Sequence, residues 1–193
     1  MTAVANALDN GAFVNFIKPD RTFTECGKAD EATVGTSLAA AAGGGHLECA
    51  RLLLDRGADT KVDRQPLVEA AGNGHTECVR LLLDRGAEAS TSEKALIEAV
   101  QRGHVDCAKL LLDKGADVNK GYVSGYHESL ALHVAAENGH LQCVRLLLER
   151  GADYTRDCQN STPLMDAASN GHVDCVKLLL DWGAHIDRKD ESM

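Results

Sequence analysis

One phrase occurs five times in this chain. It reads Gly45-His46-Leu47-Glu48-Cys49-Ala50-Arg51-Leu52-Leu53-Leu54-Asp55-Arg56-Gly57-Ala58-Asp59, and it starts again at Gly74, Gly103, Gly139 and Gly171. Each copy has Gly-His, a cysteine three residues after the histidine, three consecutive leucines and then Gly-Ala. A phrase that returns at intervals of 29, 29, 36 and 32 residues specifies a stack of similar units, each contacting its neighbours, rather than one globular core.

Charge and composition narrow the class. With 20 basic against 29 acidic residues the net charge is -9. Such a surface repels phosphate backbones, which excludes nucleic acid as the expected partner, and it disfavours docking on anionic membranes. No apolar run approaches the roughly 20 residues needed to cross a bilayer. Met1 to Leu8 has neither a basic residue nor a long apolar stretch, so no signal peptide is expected. The expected location is the cytoplasm, with the nucleus as an alternative.

Five of the seven cysteines, Cys49, Cys78, Cys107, Cys143 and Cys175, occupy one column of the repeat. Stacked units lie about one helix diameter, ~10 Å, apart, and a disulfide needs Cα atoms within roughly 7 Å. The column therefore reads as small buried hydrophobes in a reducing compartment. Cys26 and Cys158 lie outside it and are expected nearer the surface.

Each phrase encodes a helix. From His46 to Arg56 the apolar positions 47, 49, 50, 52, 53 and 54 form one wide face, and Gly57 suits the position just past the helix end. Upstream of each Gly-His lies a shorter helical pattern. In the last copy it reads Thr162-Pro163-Leu164-Met165-Asp166-Ala167-Ala168, where Thr162 serves as a cap and Pro163 as the first helical residue. Paired alanines keep this helix thin, so units approach closely.

These residues resemble the ankyrin repeat, whose Thr-Pro-Leu-His-x-Ala signature is close to residues 162–167 and to Leu130-Ala131-Leu132-His133-Val134-Ala135, and looser at 66–71, 95–100 and 36–41. The resemblance implies an all-α solenoid of stacked helix-turn-helix units with short or absent β-hairpin fingers. Residues 31–187 form five repeats. Residues 1–30, which hold all three phenylalanines, read as a degenerate capping repeat, and 188–193 as a polar tail. Against a family period of about 33, the fingers at 59–65 and 88–94 are clipped and the one at 118–130 is extended.

The family resemblance implies a non-catalytic module, an adaptor, scaffold or inhibitor, that binds another protein and acts as a monomer. Long loops on rigid scaffolds concentrate function. Tyr122, Tyr126 and His127 lie in the extended finger and Tyr154 in the next, at 154–162. Tyrosine is a frequent binding anchor, although these rings could instead plug the loop. The two positions before each Gly, represented by Asn73, Gln101, Arg102, Glu137, Asn138, Ser169 and Asn170, face the concave groove by resemblance. An acidic row, Glu69, Glu98 and Asp166, lies near them. Trp182 replaces the basic residue that follows the helix-end acid in the other copies (Arg56, Arg85, Lys114, Arg150), either as an end cap or as a second anchor. Those four acid–base pairs read as ordinary solvated helix ends.

The five His-x-x-Cys pairs lack the four convergent ligands of a zinc site and the activating surroundings of a nucleophile. No phosphate-binding glycine loop or nucleophile elbow is present. No metal, cofactor or catalytic residue is therefore expected. The histidines are assigned to the helix start and the inter-repeat loop, the cysteines to a valine-like core role. Asn119, in Asp117-Val118-Asn119, resembles the finger asparagine accepted by asparaginyl hydroxylases. Two alternative roles remain. One is a substrate-recruiting subunit of a ubiquitin ligase, resembling the Cys-column repeats of SOCS-box ankyrin proteins, although the chain ends six residues after Asp187 without such a box. The other is a parasite or bacterial effector that mimics host ankyrin proteins.

Overall fold

The computed structural model describes residues 17–19, 34–60, 65–87, 89–124 and 127–186. Ten helices occur among them. The first helices of successive repeats are α1 (Ser37–Gly43), α3 (Gln65–Gly72), α5 (Ala89–Gln101), α7 (Ala131–Glu137) and α9 (Pro163–Ser169). The second helices are α2 (Leu47–Asp55), α4 (Thr76–Asp84), α6 (Val105–Asp113), α8 (Leu141–Glu149) and α10 (Val173–Asp181). First helices stack on first helices and second on second, as the repetition requires. Two short hairpins complete the described elements. β1 (Ile17–Pro19) pairs antiparallel with β2 (Val34–Thr36), and β3 (Tyr122–Ser124) with β4 (His127–Ser129). Apart from β1, residues 1–30 lie outside the described residues, as do Cys26, Tyr126 and the tail 188–193.

Both glycines of each phrase end a helix in the same way. Gly45 has φ +70, with His46 N–H donating to Ala41 C=O at 2.8 Å and Gly45 N–H to Ala42 C=O at 3.1 Å. Gly57, at φ +90, repeats this after α2, with Ala58 N–H on Leu53 C=O at 2.9 Å. Both are six-to-one closures that satisfy the orphan carbonyls of the last turn, and the left-handed backbone suits glycine. At the start of α9, Thr162 Oγ1 accepts from Met165 N–H and Pro163 occupies the first turn, the cap that the sequence implies.

The leucine triplets are graded. The middle leucine, Leu82, Leu111, Leu147 or Leu179, is fully enclosed. The alanine pairs do the same between first helices: Ala42, Ala71 and Ala136 have no exposed surface. Cys78, Cys107, Cys143 and Cys175 are buried among them. Cys49 is only half-buried. At ~0.8 kcal/mol for each buried CH₂, the leucine and alanine columns supply most of the driving force for stacking.

Three sequence expectations are corrected. The segment 88–94 is not a clipped finger: α5 runs 13 residues from Ala89, so the finger is replaced by an extra helical turn. Its residues Ser92 and Glu93 are buried, which polar composition concealed. The acid–base pairs at the helix ends are not independent solvated pairs. Arg85 reaches back to Asp55 at 2.9 Å, Lys114 to Asp84 at 2.7 Å and Arg150 to Asp113 at 2.8 Å, so each base bonds the acid of the preceding repeat. Exposed pairs of this kind contribute about 0–1 kcal/mol each, but they fix the register of the stack. Finally, the phrase histidines make no side-chain cap at the helix start. The inter-repeat part of their assignment stands, because the rings turn toward the preceding repeat. His140 Nε2 bonds Gln101 C=O at 3.0 Å and His172 Nε2 bonds Glu137 C=O at 2.9 Å. The ring also covers the glycine before it in the stack: a Cβ at Gly45 would stand 2.6 Å from His75 Nδ1, and one at Gly74 2.7 Å from His104 Nδ1.

Candidate protein-binding surface

The groove positions are set by the Gly-His turn. Its reversal follows two residues after the alanine or valine column of each first helix, and those two side chains point out. Asn73, Gln101, Arg102, Glu137, Asn138, Ser169 and Asn170 are all exposed. They are not uniformly free. Asn73 Nδ2 donates to Gly43 C=O at 3.0 Å, and Arg102 Nη1 donates to Asn73 Oδ1 at 2.8 Å, a polar ladder across three repeats. Arg102 also lies 3.9 Å from Glu98. Asn138 and Asn170 turn their amides onto Val134 C=O and Asp166 C=O of their own helices, which leaves each amide oxygen outward. Gln101 and Glu137 lend their backbone carbonyls to the histidines described above, while their side chains remain exposed.

Of the acidic row, Glu69 is exposed and Glu98 half-buried, but Asp166 belongs to an interior network. His133, 6% exposed, sends Nδ1 to Asp166 Oδ2 at 2.7 Å and Nε2 to Arg156 C=O at 3.0 Å. Ser161 Oγ donates to Asp166 Oδ1. Serine, histidine and aspartate are thus together, but the hydroxyl meets the carboxylate and the far ring nitrogen is committed to a carbonyl. The imidazole does not face the hydroxyl, so the cluster lacks the serine–histidine–aspartate order of a triad and ties one repeat to the next. The sequence shows His133 through its signature. Nothing in it signals Asp166 and Ser161 as its partners, because the contact crosses a repeat.

The fingers are stapled together. Arg156 donates from Nη1 to Asn119 C=O at 2.7 Å and from Nη2 to Glu128 Oε1 at 2.9 Å. Asn119 Nδ2 donates to Gly151 C=O at 3.0 Å, while its Oδ1 accepts from Asp153 N–H at 2.8 Å. Asn119 therefore uses its amide to bridge two repeats. Cys158 Sγ donates to Glu128 C=O at 3.2 Å. Residues 158–161 close a two-residue turn in which Gln159 and Asn160 have φ 55 and 65, the left-handed pair that a tight hairpin requires.

The aromatic residues are placed unevenly. Tyr122 is half-buried against the core, with Lys94 Nζ 5.5 Å from its ring centroid. Tyr154 is likewise half-buried against the core. Trp182 is 41% exposed at the end of α10. Tyr126 and the side chain of His127 lie outside the described residues. Lys120 Nζ is 3.1 Å from Glu93 Oε1.

The thiols behave as core groups. Burial pushes the Cys143 thiol up to about 11 and raises those of Cys78, Cys107 and Cys175 as well; Thr76, 3.3 Å from Cys107 Sγ, opposes the rise there. Protonated, enclosed thiols are neither nucleophiles nor metal ligands. No group of three or more metal-ligating side chains occurs among the described residues, nor any helix long and apolar enough to cross a membrane.

Comparison with known proteins agrees with this geometry. The family model for ankyrin repeats (3 copies) matches residues 1–93, 37–122 and 123–190. No curated protein matches the chain. Among solved structures it is similar to the human ASB11 ankyrin repeat domain, with a TM-score of 0.71 and 29% identity over 80% of this chain and 72% of that one. Ankyrin repeats are protein–protein interaction modules. Histidines seated on the preceding repeat's glycines, thin alanine-lined first helices and family-model matches over residues 1–190 lead to one conclusion: this chain belongs to the ankyrin-repeat family.

Proposed function

We propose that this chain is a non-catalytic adaptor, scaffold or inhibitor that binds a partner protein through its concave groove and the fingers at 118–130 and 154–162. The observation that carries this reading is the outward row of Asn73, Gln101, Arg102, Glu137, Asn138, Ser169 and Asn170 on a pre-ordered stack. A surface already held in place loses little entropy on binding. The row mixes amides, a cation and a carboxylate, which suits a partner with specific polar groups. Tyr122 and Tyr154 support the finger edge, each with one side against the core. Lys94 adds positive charge beside Tyr122.

The test is quantitative capture of partner proteins by the full chain and by an Arg102→Ala/Asn138→Ala variant, with circular dichroism confirming equal helicity. A protein held by the parent and lost from the variant supports the groove. Equal retention of every protein by both would remove the groove from the reading. Tyr122→Ala/Tyr126→Ala probes the finger in the same format.

A second role, recruitment of substrates to a ubiquitin ligase, is favoured by the likeness to the ASB11 domain together with the buried cysteine column. Co-capture of ligase core subunits with the full-length protein would favour it, and their consistent absence would count against it.

A further inference from the structure

Donors and acceptors are unevenly divided along the groove row. Asn138 Nδ2 donates to Val134 C=O at 2.8 Å. Asn170 Nδ2 donates to Asp166 C=O at 2.9 Å and to Ser169 Oγ at 3.3 Å. A carbonyl can only accept, so each of these amides must turn its nitrogen inward and its Oδ1 outward. Ser169 spends its own hydrogen on Asp166 C=O at 3.1 Å, and a hydroxyl has two acceptor sites, of which the Asn170 amide takes one. Asn73 gives its nitrogen to Gly43 C=O and its oxygen to Arg102. Donors of the row are thus largely consumed within the molecule, while outward oxygens of repeats four and five are not.

Charge is divided in the same way. Arg102 is held by Asn73 Oδ1 and lies 3.9 Å from Glu98. On the fingers, Lys120 is 3.1 Å from Glu93 and Arg156 is 2.9 Å from Glu128. Glu69 and Glu137, by contrast, are exposed, and neither carboxylate has a cation among the described residues. Glu69 stands beside the row: a Cβ at Gly43, whose carbonyl holds Asn73, would lie 3.1 Å from Glu69 Cβ. The cations are engaged and these two anions are free.

We propose that the groove takes a basic segment of the partner protein, whose arginine or lysine side chains donate to Glu69, Glu137, Asn138, Ser169 and Asn170. This inference rests on the groove reading above and adds the chemistry of the partner. Arginine and lysine side chains carry donors and no acceptor, and a planar guanidinium can bridge two acceptors at once. Glu137 with Asn138, and Ser169 with Asn170, offer such paired acceptors one repeat apart, a step of ~10 Å. Cations spaced along one face of the segment match that step. The net charge of -9 steers such a segment toward the surface. An acidic segment would meet the same oxygens with like charge.

The probes are fluorescein-labelled oligoarginine and oligoglutamate peptides, titrated with the full chain by fluorescence anisotropy. Oligoarginine should bind. Glu137→Lys should weaken it about tenfold or more. Glu149→Lys makes the same charge change at the exposed end of α8, outside the row, and should weaken it less than about threefold. Asn138→Ala/Asn170→Ala alters no charge and should still weaken it about threefold or more, through two lost acceptors. Circular dichroism and the urea midpoint check that each variant keeps its fold. Equal weakening by Glu137→Lys and Glu149→Lys would reduce the effect to net charge and overturn the proposal, as would unchanged affinity in the double alanine variant. Oligoglutamate bound in preference, and released by Arg102→Ala, would overturn the basic partner and leave the groove reading standing. Failure of the groove reading itself shows differently, as equal retention of every protein in the capture experiment above.

Discussion

Single residues carry the tightest constraints at the Gly-His contact. Gly103 has φ +76, and a Cβ there would stand 2.8 Å from His140 Nδ1. Gly103→Ala therefore suffers both a left-handed backbone and a ring it must displace, and should cost about 1–3 kcal/mol. Adding His140→Ala should recover only the steric part, which a double-mutant cycle in urea would measure. The buried thiols predict an alkaline limb. A thiol whose folded value lies above its unfolded one stabilises fully below the unfolded value and loses that contribution as pH rises through the folded one. With Cys143 at about 11 and an unfolded thiol near ~8.5, stability should fall from about pH 9 upward, and Cys143→Val should flatten that limb. A thiol reagent should titrate Cys78, Cys107, Cys143 and Cys175 only as fast as the chain unfolds. Acid works in the opposite sense on Asp153, whose carboxyl is held below the usual range by the Thr155 hydroxyl and N–H. Its contribution is present above the unfolded value and lost as pH falls below ~4.

Among the elements, the fingers depend on a few cross-repeat bonds rather than on an apolar core of their own. Asn119 spans to Gly151 and Asp153, and Arg156 spans to Asn119 and Glu128. Asn119→Ala deletes both side-chain bonds and leaves the Gly151 carbonyl and Asp153 N–H to water. The expected cost is about 1–3 kcal/mol. Hydrogen exchange should show it as faster opening of 118–130 and 151–161, with α4 and α6 unaffected. Uniform acceleration along the chain would refute a local staple. Helix α5 shows an element whose start the local sequence leaves undecided. Ala89 to Lys94 has no Pro or Gly to stop a helix and no alternation to favour a strand, so packing of Ser92 and Glu93 against the stack decides its state.

For the whole molecule, stability is a sum of repeats and of the interfaces between them. Leu111, fully enclosed in α6, is the middle leucine of a central repeat. Leu111→Ala should cost ~2–5 kcal/mol by cavity formation and should weaken the join between the two halves of the stack. Unfolding followed by Trp182 fluorescence, which sees the C-terminal end, should then separate from unfolding followed by circular dichroism. Coincident transitions with an unchanged m-value would mean that the repeats are coupled more tightly than nearest-neighbour packing implies.

The five-fold phrase by itself determined the fold. Repetition of Gly-His, the alanine pair and the leucine triplet admits only stacked units, because no single unit can bury its apolar face alone. The cysteine column was legible as core for the same reason, and the cap at Thr162 from local chemistry alone. Contacts between units were not legible, because sequence periodicity records which residues are alike and not which ones touch. Only the tertiary structure showed that the phrase histidines leave the helix start uncapped and serve the inter-repeat contact alone. It also made rungs of the helix-end acid–base pairs and drew Asp166 out of the acidic row onto His133. The sequence supplies the columns, because it records which residues recur, and stacking in space decides which of them touch and are enclosed.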